Sequence, residues 1–444
     1  MRTRDALTTF ALVFAVAACG GAPSGGTASG GASGDGGTAT TGGATGAGAD
    51  AGPGADAGGT ATGGDPAARP ASASKLFAHY MPWFASKPVS GAWGWHWTMN
   101  ARNPDTVVNG VQDLASHYHP VIGAYDSGDA ALVEYHVLLM KYAGLEGAIA
   151  DWYGIVSYLD YGIAHRNTGL LFDALRRAGM SLALCYEDQS IKHMIEGGAA
   201  TPGDAVTKGQ DVMRWLDTHW FEDPAYVHEN GQPLLLNFGP QYFGTAEWNA
   251  LFSVMRTRPS LVTLDPKVDP ASGFFFWPKP QSGEAADRAS LVRLLPTTKI
   301  PAAYPRFDDF YAQAGVGPSY GSIGDRGGAQ YEETLKLAYG AKPAMIQLVT
   351  WNDWGEGTNI EPSVEIGFRD LQKTQELARA SGWSAFPWTA DDLQLPLVLY
   401  EARKAGKDRG ALDAAATELY AGHPAKARAL LAPFAPLAPL APSR

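Results

Sequence analysis

The chain has 444 residues, a formal net charge of −11 and two cysteines. Phosphate binding needs clustered Lys and Arg, so the acidic balance excludes nucleic acid as the main partner. Thirteen Trp and an aromatic fraction of 11% suit either a well-filled core or a surface that stacks against flat apolar faces such as sugar rings.

Arg2 and Arg4 precede an apolar run from Ala6 to Ala18. It is too short to span a bilayer and reads as a targeting segment. The run ends Val16-Ala17-Ala18-Cys19, like a bacterial lipobox in which Cys19 carries the lipid; an ordinary signal peptide with an incidental Cys is the alternative. With residues 1–19 read as a lipoprotein signal, the expected location is the cell envelope, with membrane contact only through the anchor. Only Cys185 then remains, so no disulfide supports the fold and the core must be large. Residues 20–74 are nearly all Gly, Ala, Ser, Thr and Asp, without one aromatic. Such a stretch cannot offset its chain entropy by burial and reads as a disordered tether.

Residues 75–385 alternate apolar runs with helical patterns. The runs are Leu76–Trp83, Ala148–Tyr153, Ser181–Glu187, Pro233–Phe238, Leu261–Leu264, Phe274–Trp277, Ile300–Tyr304 and Ala344–Trp351. The helical patterns are Asp129–Ala143, Asn167–Ala178, Pro202–His219, Thr245–Arg256, Glu284–Leu295, Tyr331–Tyr339 and Phe368–Ala380. Asp129 and Thr245 are candidate N-caps, and Gly144 and Gly179 stand where helices should stop. Only Asp265–Ser272, after the fifth run, has no helix pattern. Strand–helix alternation predicts an α/β fold with a parallel sheet, and eight repeats predict a (β/α)8 TIM barrel. A doubly wound open sheet would want a Gly-rich phosphate loop after the first strand, where the chain instead runs into Pro82-Trp83-Phe84. Residues 386–444 read as helices on the barrel, Leu397–Ala405 and Ala411–Leu431, followed by a Pro-rich tail.

A barrel does its chemistry at the C-terminal ends of its strands, and these ends are rich in carboxylates and aromatics. The first ends in His79, Tyr80 and Trp83, followed by a loop with Trp93, Trp95, His96 and Trp97. The second ends in Asp151, Trp152 and Tyr153, and the third in Glu187 and Asp188. The fourth runs from Asn237 to Gln241, and the seventh from Tyr304 to Asp309. The eighth carries TWNDWGEGTNIEP, with Trp351, Asp353, Trp354, Glu356 and Glu361. Glycoside hydrolysis needs two carboxyl groups roughly 5–9.5 Å apart. Asp353 and Glu356 span about 10 Å if extended, and a turn at Gly355 shortens that. The spacing fits a catalytic pair without deciding between inversion and retention; a capped turn with a structural Asp fits it too. Trp351 and Trp354 would be sugar platforms or would desolvate the acid.

The Glu356-Gly357-Thr358 and Ile360-Glu361-Pro362 elements resemble the signature of glycoside hydrolase family 99, the endo-α-mannosidases, which has Glu where this chain has Asp353. Trp351-Asn352-Asp353-Trp354-Gly355-Glu356 is similar to the motif of family 71, the endo-α-1,3-glucanases. The run from His117 to Gly154 resembles bacterial proteins of the 71/99-like group. The resemblance implies Glu356 as general acid and Asp353 as base, acting on water or on the substrate's 2-hydroxyl. It implies that Asp151, Tyr153, Glu187 and Asp188 bind hydroxyls or tune the pair; a buried charge network is the other reading of Asp151 and Glu187. The expected contact set also includes His79, Tyr80, Trp83, Trp95, Trp152, Tyr304, Trp351, Trp354 and Glu361. His79 and His119 lack HxH or HExxH spacing, so no metal and no cofactor is expected. The expected partner is an α-linked polysaccharide, of α-mannan or α-1,3-glucan type, cut endo-wise by a monomer. A silent carbohydrate-binding lipoprotein and a domain processing surface polysaccharide are the alternatives; the intact acid pair favours the enzyme.

Overall fold

The computed structural model describes residues 69–434, position 72 excepted. Cys19, the targeting segment, the tether to residue 68 and the tail from 435 lie outside the described residues.

Eight strands form one parallel sheet: β1 Lys75–Tyr80, β2 Gly147–Trp152, β3 Ser181–Tyr186, β4 Gln232–Asn237, β5 Ser260–Leu264, β6 Gly273–Phe275, β7 Ala302–Ala303 and β8 Met345–Leu348. Their spatial order is β7-β8-β1-β2-β3-β4-β5-β6. A parallel bridge from Phe275 to Ile300 closes the ring between β6 and β7. The fold is therefore a (β/α)8 barrel, and each strand lies within one of the eight apolar runs or overlaps it. β2 is buried along its whole length. Its first residue has to be Gly, because a Cβ at Gly147 would lie 1.9 Å from the Ser181 carbonyl oxygen of β3.

The helices follow the strands. α1 Ala130–Ala143 is capped by Asp129, whose side chain accepts from Ala131 N, and stops at Gly144 with φ 89°. α2 Tyr161–Arg177 starts six residues before the predicted Asn167, because the apolar spacing is clear only in its second half. α3 Ala205–His219 follows a short turn at Pro202–Asp204. α4 Thr245–Phe252 begins at Thr245, so Gly244 and not Thr245 is the N-cap. No helix stands between β5 and β6, as the pattern predicts. α5 Glu284–Leu294, α6 Ala329–Gly340 and α7 Arg369–Ala380 complete the ring. The C-terminal segment adds α8 Leu395–Lys404, α9 Arg409–Tyr420 and α10 Pro424–Leu431. α9 and α10 replace the single predicted stretch; Gly422 at φ 78° and Pro424 break it. α8 is held to α1 by the Arg403–Glu134 ion pair and by Tyr400 against Tyr135.

The longest rim segment is the β1–α1 loop, residues 81–129. It contains a hairpin, Val107–Val108 against Val111–Gln112, whose turn residues Asn109 and Gly110 both have positive φ, the backbone that Asn-Gly favours.

Candidate active site

After β8 the chain folds back on itself. Thr350 N donates to Thr358 O, Ile360 N donates to Thr350 O, and the hydroxyls of Thr350 and Thr358 meet at 2.9 Å. The enclosed loop is ordered from within. Thr350 Oγ1 accepts from Asp353 N at 2.8 Å, and Asp353 Oδ1 accepts from Glu356 N at 3.0 Å. The Asn352 amide pairs with both backbone groups of Met81, fixing the loop to the end of β1. On its other side Asp308 N donates to Glu356 O and Phe310 N to Gly355 O. Gly357, at φ 66°, admits this approach; a Cβ there would lie 2.8 Å from Asp308 O. Arg306, fully buried, pairs with Asp370 and donates to the Asn359 carbonyl.

Asp353 is 6% exposed and Glu356 2%. Burial pushes Asp353 up to about 6; hydrogen bonds from the backbone of Glu356 and Gly355, and the nearby His96, hold it there against a larger rise. Burial raises Glu356 well above the usual carboxylate range, and the charges of Asp353, Asp309 and Glu187 add to this. Glu356 Oε2 has no hydrogen-bond partner, while Oε1 accepts from the Tyr311 hydroxyl at 3.4 Å. The bond expected of a structural Asp is thus present in Asp353, alongside an ionisation poised near neutrality. Asp353 shares the burial of Glu356 and differs in receiving backbone hydrogen bonds.

Two more carboxyls join the pair. Asp151 and Glu187 lie buried on the neighbouring ends of β2 and β3; each acts on the ionisation of the other, and the charge of Asp353 acts on both. Beside them Trp83 stacks on His96, with centroids 4.2 Å apart, and on Tyr153, 6.0 Å apart. His96 Nε2 lies 3.0 Å from Asp160 Oδ2. Trp95 is half-buried against Met99, Ala115 and Phe310. The structure therefore brings together Asp353, Glu356, Asp151, Glu187, Trp83 and Tyr153.

The remaining expected contacts are placed elsewhere, and strand alternation is the usual reason. Tyr80 turns from the barrel interior toward α1, where its hydroxyl meets His136 Nδ1 at 3.0 Å. Trp152 turns toward α2 and α3, against His165, Trp215 and Trp220. The Tyr304 hydroxyl donates to Asp287 of α5. Trp351 is fully buried and packs edge-on against His136 of α1. Glu361 accepts from the Tyr125 hydroxyl at 2.7 Å and lies 3.0 Å from His136 Nε2, at ion-pair distance but off hydrogen-bond alignment. Trp354 is also fully buried and donates to the Tyr125 hydroxyl; neither Trp351 nor Trp354 is a sugar platform. Asp188 accepts from the backbone of Gln241, Tyr242 and Phe243 and so holds the β4–α4 loop. His79 does face inward, packed edge-on against Trp277 and 3.4 Å from Gln347 Oε1. Burial lowers its pKa to about 4, which leaves it neutral. His119 pairs with Glu365 at the surface, and among the described residues no cluster of His, Cys, Asp and Glu has a metal-holding arrangement.

Sequence reasoning missed Tyr311 and Tyr320. They pack edge-on at 5.7 Å, and the Glu356 charge acts on both. Asp309 accepts from Tyr311 N, Tyr320 N and Ser319 Oγ, which gathers this loop over Glu356. No local spacing announces these tyrosines; a loop 10 residues long brings Tyr320 back to Asp309.

No family model matches the chain. In sequence it is similar to proteins described as glycoprotein endo-α-1,2-mannosidase-like. The mouse protein is 22% identical over 336 residues, covering 68% of this chain and 72% of the relative. The human protein is 23% identical over 331 residues, 66% and 69% of the two chains. In structure the chain is similar to the family 99 endo-α-mannosidase of Bacteroides thetaiotaomicron in complex with bis-tris propane. That match has a TM-score of 0.52 at 19% identity and covers 74% of this chain and 98% of that one. A second structure of the Bacteroides enzyme matches with a TM-score of 0.51 at 18% identity, over 72% and 98% of the two chains. The Bacteroides enzyme and this chain share the barrel fold.

Proposed function

We propose that the chain is a glycoside hydrolase that cleaves an α-linked polysaccharide within its length, with Glu356 as general acid and Asp353 as base. The observation that carries this reading is a pair of buried carboxyls in one turn with unequal partners: Asp353 accepts from Glu356 N, and Glu356 Oε2 has no partner. Burial raises Glu356 well above the usual carboxylate range and Asp353 to about 6, the direction that an acid and a base require. The similarity to endo-α-mannosidases supports the reaction class and favours an α-mannoside over an α-1,3-glucan.

In the reaction the bond between the anomeric carbon and the glycosidic oxygen breaks as Glu356 passes its proton to the departing oxygen. Asp353 takes the proton of the oxygen that bonds to the anomeric carbon. That oxygen is an attacking water, which completes the hydrolysis, or the sugar's own 2-hydroxyl. In the second case water later opens the three-membered ring, giving a proton to Glu356 while Asp353 returns its proton to the 2-oxygen. Asp is one methylene shorter than the Glu of family 99, which leaves more room for the water and favours inversion. Trp83, stacked between His96 and Tyr153, holds those two rings in place beside the acids.

Cleavage of activated and unactivated glycosides tests the roles. Glu356→Gln should lose about 10² to 10⁴-fold on a substrate with a poor leaving group and keep most activity on an aryl glycoside that needs no protonation. Asp353→Asn should lose both. If neither substitution changes turnover of an active wild type, the pair is structural. We also propose lipid anchoring through Cys19 at the cell envelope. Cys19→Ser should move the protein from the membrane fraction to the soluble one, and unchanged membrane association would exclude it.

A further inference from the structure

The catalytic reading uses two of four buried carboxyls. Asp151 and Glu187 lie on neighbouring strands and on the same inward face. Asp151 is in register with Cys185, and Glu187 stands two residues beyond, its N–H donating to the Trp152 carbonyl at 3.0 Å. Each is 3% exposed, and each carboxyl acts on the ionisation of the other. Two carboxyls that meet can bond only through a proton, since a carboxylate is an acceptor only. The Gln189 side-chain amide donates to Glu187 Oε2, so Glu187 is furnished as the acceptor and Asp151 as the donor. Asp151 Oδ1 has no partner.

The groups facing the two residues offer no cation to neutralise them. They are Tyr153 beyond β2, Tyr161 of α2, Cys185 of β3, the neighbouring Asp188, and Asp353 and Glu356 of the β8 turn. Two carboxyls in contact in such a place do not both ionise.

We infer that Asp151 and Glu187 hold one proton between them, and that the single charge left on the pair keeps Glu356 protonated during turnover. The pair is then a positioning device for the proton of the acid, and this rests on the glycosidase reading. Burial carries Glu187 to about 7 and Asp151 well above the usual range, which is the order such sharing requires. Because the charge of Glu187 raises Glu356, neutralising it must release the proton of Glu356 at lower pH.

The test uses the pH profile of kcat/KM on a substrate that needs protonation. Glu187→Gln should move the basic limb down by about one pH unit, a roughly tenfold loss at pH 8 relative to the variant's own optimum. Asp151→Ala removes the donor to Glu187 and should shift the limb in the same direction. Asp151→Asn keeps an N–H donor and should restore the wild-type limb. Uniform losses at every pH, equal for Asn and Ala at position 151, would overturn the inference, because they are what a merely structural pair gives. Carboxyl infrared spectra provide a readout without activity. In Glu356→Gln at pH 8 a protonated-acid band should remain, and adding Asp151→Asn should remove it; absence of the band in Glu356→Gln would also overturn the inference. An inactive wild type that keeps the band would sink the glycosidase reading while supporting the shared proton.

Discussion

From β8 through β1 and β2 to β3 the rim stands on four neighbouring strands, three of them six residues long. Asp151, Glu187, Asp353 and Glu356 all rise from this arc. From β5 to β7 the strands have five, three and two residues, and the ring closes there on one bridge. Side chains hold that arc where backbone pairs are few: Lys279 bonds Asp265, and Asp287 receives Lys279 N and the Tyr304 hydroxyl. The acids need fixed separations to divide a proton between them, and a long ladder supplies such separations; the thin arc carries no reacting group and needs only to close. Ladder length thus marks where placement matters in this barrel.

The sharpest way to break the contrast is Arg306, which follows β7 on the thin arc yet braces the turn beyond β8. Arg306→Ala leaves Asp370 with Arg369 alone and takes the donor from the Asn359 carbonyl, and should cost about 3 kcal/mol; urea unfolding would measure this, and activity should fall with it. Asp353→Asn should act in the opposite direction on stability. The folded carboxyl is raised from 3.8 to about 6, so its proton stabilises the fold fully below pH 4, and that benefit fades as pH rises toward 6. The Asn variant should therefore be more stable than the wild type at pH 8, by about 2–3 kcal/mol at most, and equal to it below pH 4. The same titration should make wild-type kcat/KM fall about tenfold per unit below pH 6. Trp83→Ala removes the ring on which His96 and Tyr153 stack and should lower kcat/KM roughly fivefold, as stacking contributes about 1 kcal/mol. Smallest of all, Lys279→Ala breaks a partly exposed ion pair on the thin arc. It should cost about 1 kcal/mol or less and leave kinetics untouched, as thermal melts and steady-state rates would show.

Much of this arrangement was legible in the sequence. Eight apolar runs mark eight strands, and the missing helix after the fifth shows as a missing pattern in Asp265–Ser272. The motif Trp351 to Pro362 drew attention to the segment that holds Asp353 and Glu356. Facing was read less well. Tyr80, Trp152, Tyr304 and Trp351 belong to strand-end motifs, but composition does not say which side of the wall a residue takes. Alternation does: with His79 and Asp151 inward, Tyr80 and Trp152 must point to the helices. Asp188 follows Glu187 and serves the β4–α4 loop for the same reason. Tyr311 and Tyr320 were invisible because Asp309 gathers them by backbone hydrogen bonds across a loop, a relation with no sequence period.

The loop from Thr350 to Thr358 is tied at its neck by paired threonine hydroxyls and backbone bonds, so Asp353 and Glu356 sit in one closed turn whose internal bonds come from its own residues. Divergence among such barrels can then proceed by rewriting the long segment between β1 and α1, residues 81–129, which supplies Trp83 and His96. On the function proposed above, a change of substrate would leave the reaction intact, because the segment lining the site and the turn that holds Asp353 and Glu356 are written on different stretches of chain.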